Sequence, residues 1–141
     1  MSYHRHKSRE FALQMLFEWD MAPKDPKLVR NRFWRTASAS EETRKFANHL
    51  FETTVKESAA IDDLLGRISE NWRPERLAPV DRNILRLAIY ELRVKHKDTP
   101  PKVAIDEALR LAKKFSSEES PAFLNGVLDA ALKIIEANVS S

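Results

Sequence analysis

Five side chains that can carry positive charge, His4, Arg5, His6, Lys7 and Arg9, precede the first acid, Glu10. Cations this dense neutralise phosphates, and each such contact releases counterions, so binding through them weakens as salt rises. The same composition also suits a solvated chain terminus, and the segment alone leaves both readings open. Arg82 and Arg86 are four residues apart, which places both on one helix face. There they can grip one anionic ligand together or pair with nearby acids. Phe123 offers a ring to stack on a base or to enter a partner pocket, and Asn125 offers both a donor and an acceptor. All of this is the chemistry of binding.

Bond-making chemistry has little to work with. The chain has no cysteine and only two glycines, so there is no thiol nucleophile and no glycine-rich phosphate loop. No histidine is spaced against carboxylates in a hydrolase or metalloprotease pattern. His4 and His6 bind a metal only weakly without further ligands, and His49 and His96 stand alone on positions expected to be exposed. The expectation is a protein that is not an enzyme and needs neither cofactor nor metal. The lack of cysteine excludes disulfides and suits a reducing cytoplasm. The N-terminal segment lacks the apolar run of a signal peptide, and no stretch approaches the length that spans a bilayer, so a soluble protein with no membrane contact is expected. The formal net charge is only +3, from 24 Lys and Arg against 21 Asp and Glu, so the placement of charge carries more information than its sum.

The elements that must position these groups read as helices throughout. A chain of 141 residues, 43% hydrophobic and supplied everywhere with Ala, Leu, Glu, Lys and Arg, can bury a continuous core as an all-α bundle. Ser8 is the predicted cap of a first helix that runs to about Asp20, where MAPKDP stops it. Phe11, Ala12, Met15, Leu16 and Trp19 form its apolar stripe, and Leu13 with Phe17 widens the arc to about 240°. So wide an arc means either a helix buried all round or a second, intermolecular contact through Leu13 and Phe17. A second helix follows Asp25-Pro26. A long third begins at Ser40 with a break near Ser58 to Ala60, and Asn71-Trp72-Arg73-Pro74 ends the first half.

In the second half, Pro79 starts a helix to about Lys95, with Ile84, Leu85, Ala88 and Leu92 as its buried stripe. Asp81 falls in its first turn, where its charge suits the dipole. Glu91 falls inside the stripe and needs donors at a neighbouring turn, Thr99 being the nearest. Thr99 is the predicted cap of the next helix and Ser120 of the last. Glu118 and Glu119 precede that last start, as complements to the dipole or as acceptors for a basic partner. Gly126, unfavourable inside a helix by about 1 kcal/mol relative to Ala, is expected to admit the close approach of another helix of the bundle. The resulting expectation is a bundle of about seven helices in two subdomains, 1–72 and 73–141, that share a core.

Three segments together, SREFALQMLFEW, VDRNILRLAIYEL and PKVAIDEALRLAKKFSSEESPAFLNGVLD, resemble the NusB family of transcription antitermination factors, collinearly over nearly the whole chain. The nearest similar group is the NusB-like domain that precedes some rRNA methyltransferases, but the basic segment before SRE fits the free-standing factor better. The resemblance implies a non-enzymatic, two-subdomain helical protein. It would bind the single-stranded boxA element of nascent ribosomal RNA transcripts as a heterodimer with NusE, also a small-subunit ribosomal protein. The pair would join other Nus factors on RNA polymerase and suppress premature termination. By position, the resemblance assigns Arg5, His6, Lys7, Arg9, Arg82, Arg86, Phe123 and Asn125 to RNA. It assigns Phe17, Asp81 and Glu119 to the protein partner, a face to which Leu13 and Glu118 are added here. Where relatives often carry a run of arginines this chain has His4 and His6, which implies tighter RNA binding as pH falls and imidazole protonates. The competing reading is a helical adaptor or homodimer that turns the same apolar face on a second copy and has little RNA specificity.

Overall fold

The computed structural model describes residues 2–95 and 98–140, so His96 lies outside the described residues. The described chain is helical, and packing divides it into two units, Met1–Lys56 and Glu57–Ser141. The sequence reading placed the step at 72/73 instead. The difference is the fourth helix, whose contacts run to the elements that follow it.

The first unit holds α1 (Ser2–Met21), α2 (Pro26–Thr36) and α3 (Glu41–Lys56). Asp25 caps α2 as its type predicts, its carboxylate accepting from the Lys27 N–H at 2.9 Å. Ser40 does the same ahead of α3, its Oγ accepting from the Thr43 N–H at 3.2 Å. α1 departs from expectation: it starts at Ser2, and Ser8 is an interior residue. Ser8 is fully buried and donates to the Thr43 carbonyl of α3 at 2.9 Å. Cations in a first turn oppose the helix dipole. Here contacts across to α3, including His4 Nδ1 to Thr43 Oγ1 at 3.0 Å, offset that cost. Further along, Phe11, Phe33 and Trp34 meet edge to face at 4.9 to 5.7 Å between centroids, and Trp34 Nε1 donates to Asn48 at 2.7 Å. Such ring pairs add to the stabilisation from burial alone.

The second unit holds α4 (Ser58–Ile68), two short 3-10 turns at Glu70–Trp72 and Pro74–Arg76, α5 (Pro79–Val94), α6 (Pro101–Phe115) and α7 (Ser120–Ser140). α5 is its axis. Every residue from Asn83 to Leu92 is buried, because α4, α6 and α7 all pack on it. Glu91 is buried as predicted, at 6% exposure. α5 is closed by Lys95, the cap residue after Val94, which takes the left-handed conformation (φ 56°) and donates its N–H to the Glu91 carbonyl. α6 begins at Pro101 with Pro100 in the cap position, one residue later than the Thr99 cap predicted from residue type. Proline suits both places, since a first-turn N–H has no partner within the helix.

Candidate nucleic-acid interface

In the first unit, the start of α1 and the middle of α3 enclose a cleft of about 300 Å³ lined by His4, Arg5, Ser8, Glu42, Lys45, Phe46 and His49. The Arg5 guanidinium stacks 3.8 Å from the centre of the Phe46 ring. Stacking uses the face of the guanidinium and leaves its N–H groups, which lie in its plane, directed outward for an anion. Arg5 is therefore held in place without having its charge cancelled. The other members of the basic segment differ from it. His6 Nε2 lies 2.9 Å and Lys7 Nζ 3.4 Å from the Glu10 carboxylate. Arg9, expected to face RNA, is buried at 3% exposure with its guanidinium 5.9 Å from the Phe46 ring. Lys45 and Phe46 carry no signal in the sequence that marks them for this cleft, and His49, expected to stand alone and exposed, is exposed but shares the cleft with them. Phe46 is half-buried and forms the floor under Arg5.

In the second unit Arg82 and Arg86 are each engaged by groups of their own chain, and Arg86 takes the second course open to the pair, an acid. Arg86 is 6% exposed, and its Nε and Nη2 donate to the two carboxylate oxygens of Asp62 at 2.9 and 2.8 Å, while Nη1 donates to Asn83 Oδ1 at 3.1 Å. That bidentate pair makes Arg86 a link between α4 and α5. Arg82 Nη1 donates to the carbonyls of Pro74 and Leu77 at 3.0 and 3.4 Å, bracing the second 3-10 turn. Asp81 lies in the first turn of α5, as expected, but its carboxylate is already engaged. One oxygen accepts from Ser116 at 2.7 Å and the other from Ser120 at 3.1 Å, which ties the end of α6 and the start of α7 to α5. The Ser120 side chain is thus a tie between helices; in its place the backbone carbonyl of Glu119 opens α7, accepting from the Phe123 N–H at 3.3 Å.

Phe123 is 36% exposed and meets Trp72 of the first 3-10 turn at 6.5 Å between centroids, with the rings 83° apart. Asn125 is also exposed, but two residues on a helix stand about 200° apart, so it does not share a face with Phe123. Gly126 is exposed, and a Cβ built there would meet nothing within 4 Å, so the helix contact predicted for it is not made. Glu118 and Glu119 are exposed just ahead of α7. Of the two residues that widened the α1 stripe, Leu13 is buried at 3% exposure and offers no docking surface, whereas Phe17 is 38% exposed. Among the described residues no group of His, Cys, Asp and Glu is arranged to hold a metal ion.

A basic cleft floored by an aromatic ring, on an all-helical scaffold, agrees with the comparison to known proteins, in which the NusB family profile matches residues 6–133. The chain belongs to the NusB family. The transcription antitermination protein NusB of Koribacter versatilis is 47% identical over 134 residues, covering 94% of this chain and 91% of the relative. That of Solibacter usitatus is 46% identical over 128 residues, covering 89% of this chain and 86% of the relative. Among solved structures, a chain from the crystal structure of antitermination factors NusB and NusE in complex with dsRNA superposes with a TM-score of 0.84 at 28% identity, covering 95% of this chain and 99% of its own. T. maritima NusB gives 0.80 at 33% identity, covering 92% and 90%. As a NusB-family transcription antitermination factor the chain is non-enzymatic, and no helix among the described residues is long and apolar enough to cross a membrane.

Proposed function

We propose that the chain binds the boxA element of nascent ribosomal RNA transcripts as a single strand, together with the ribosomal protein NusE. Joined to other Nus factors on RNA polymerase in the cytoplasm, the pair then prevents premature termination. The observation that carries the reading is Arg5 stacked on Phe46 at 3.8 Å in a cleft that also holds Lys45, His4 and His49. Two permanent cations there face one carboxylate, Glu42, and the two imidazoles add charge on protonation. Such a site attracts a phosphate backbone and supplies rings beside it. The likeness to a NusB chain solved with NusE and dsRNA supports both partners.

The test is an electrophoretic shift with a boxA single strand and a scrambled strand, with and without NusE, over a salt series. The boxA strand is expected to bind more tightly, and NusE to strengthen it. Arg5→Ala is expected to lower the slope of log K on log salt by about 0.7, one phosphate contact on a single strand. If neither a sequence preference nor an effect of NusE appears, and the chain instead self-associates through Phe17, it is an adaptor or homodimer.

A further inference from the structure

Among the described helices α2 alone has no acidic residue: its 11 residues carry Lys27, Arg30, Arg32 and Arg35, whereas each of the other α-helices holds at least two Asp or Glu. In a chain whose net charge is only +3, so uneven a distribution marks a basic face. Packing uses part of it. Arg30 pairs with Glu52 of α3 at 2.9 Å and Arg32 with Glu18 of α1 at 3.4 Å, so those two charges are offset within the first unit. Lys27 and Arg35 are exposed, and no carboxylate among the described residues pairs with either. Eight residues apart, they stand within about 80° of each other around α2 and about 12 Å along it, with the exposed Asn31 between them. Val29 and Phe33, on the far side, face the core. A cation in the first turn opposes the helix dipole, so Lys27 stands where the fold alone would favour an acid.

Arg44 of α3 leads from this face to the cleft. Its guanidinium lies 5.1 Å from the centre of the Trp34 ring, near the end of α2, and the next residue, Lys45, lines the cleft. Glu41 lies a turn before Arg44 and forms no ion pair with it. We propose that the outer face of α2, through Lys27, Asn31 and Arg35 and continued by Arg44, carries the phosphate backbone of the RNA that flanks the element held in the cleft; this rests on the RNA-binding reading above and extends its footprint. Charge and shape select an RNA backbone over other occupants. A helix that lies on a membrane inserts its apolar face, but that of α2 is turned to the core, which leaves Leu28 exposed by itself at 59%. One leucine also falls far short of the roughly 800 Å² per partner of a stable protein interface with its apolar centre. The arc from Lys27 to Arg32 holds no aromatic ring for a base to stack on, so its contacts are with phosphates and carry no sequence preference.

The test uses the whole chain, a minimal boxA strand and the same strand lengthened at both ends by scrambled sequence. The parent should bind the longer strand with a slope of log K on log salt steeper by about 2, three phosphate contacts on a single strand, whatever the flanking sequence. The double variant Lys27→Gln with Arg35→Gln should lower that slope by about 1.4 and weaken the longer strand about 25-fold at about 0.1 M salt, the slope change carried over the decade to 1 M. Its binding of the minimal strand should equal the parent's. The two substitutions act on the helix dipole with opposite signs, so its unfolding temperature should match the parent's. Lys27→Gln alone should unfold at a slightly higher temperature and still lose about 0.7 of slope, which a lysine serving only the fold would not do. Lys102→Gln with Lys133→Gln removes the same charge from exposed positions of the second unit and should leave both slopes unchanged. Equal slopes for the two strands in the parent, or the parental slope for the longer strand in the Lys27 and Arg35 variant, overturns the proposal and leaves the cleft reading standing. An equal fall on both strands would make the face part of the cleft site, and loss of NusE affinity with both RNA slopes kept would give it to a protein; either also overturns it. A parent chain that binds no boxA strand removes the functional reading itself, and the flanking contact with it.

Discussion

The pairing of Arg86 with Asp62 makes a prediction that sets structure against resemblance. Removing Asp62 leaves a guanidinium whose side chain is 8% exposed without its two-oxygen acceptor. Breaking a buried pair from one side costs about 3–5 kcal/mol. Because the Asp62 side chain is 28% exposed, water can replace part of what is lost, and Asp62→Ala should cost about 2–3 kcal/mol. For a domain of this size about 4 °C accompanies each kcal/mol, so the midpoint of thermal unfolding should fall by about 10 °C. Arg86→Met is the milder change. It removes the charge from the buried site and leaves Asp62 able to turn to solvent, for a cost of about 1 kcal/mol. The double variant Asp62→Leu with Arg86→Met should lie within about 1 kcal/mol of the parent, since neither charge is then left unpaired.

Thermal and urea unfolding measure these costs, and titration with boxA RNA well below the midpoint measures binding. The geometry predicts that Arg86→Met keeps its RNA affinity and salt slope. An Arg86→Met chain as stable as the parent but with weaker, less salt-dependent RNA binding would refute the argument, making Arg86 the phosphate contact that its position in the family pattern implies.

Two further outcomes test the remaining assignments. Asp81→Ala removes the acceptor of both Ser116 and Ser120 and should cost about 1–2 kcal/mol, with faster hydrogen exchange in the first turn of α7; exchange at the parental rate there would show that the tie is dispensable. Phe17→Gln should cost the fold about 1 kcal/mol, because the ring is already 38% exposed, while weakening NusE binding at least 10-fold by calorimetry; unaltered NusE affinity would move the partner face elsewhere.

What was legible in the sequence was local. Asp25-Pro26 and Pro79 mark helix starts because cap chemistry and a fixed φ act within a few residues, and the buried run of α5 shows as an apolar period. Ser8 has the type of a cap residue and serves a different end, since its partner is the Thr43 carbonyl, thirty-five positions away. Leu13 and Phe17 widened one stripe together, yet only Phe17 is on the surface, and periodicity does not show where burial stops.

The cations show why spacing alone could not separate binding from structure. Arg5 and Arg86 have the same side chain, and each lies near another arginine along the chain. Tertiary packing gives Arg5 a ring, which has no net charge, and gives Arg86 a carboxylate, which has a full one. A guanidinium on a ring keeps its charge and its outward N–H groups for a phosphate, whereas one that grips a carboxylate with two hydrogen bonds must give up that pair before it can bind another anion. An arginine whose partner is aromatic is therefore the candidate for RNA, and an arginine whose partner is acidic is the candidate for the fold. By that criterion Arg5 stays a candidate for RNA, and the role of Arg86 could not be judged from the sequence without knowing that Asp62 would lie opposite.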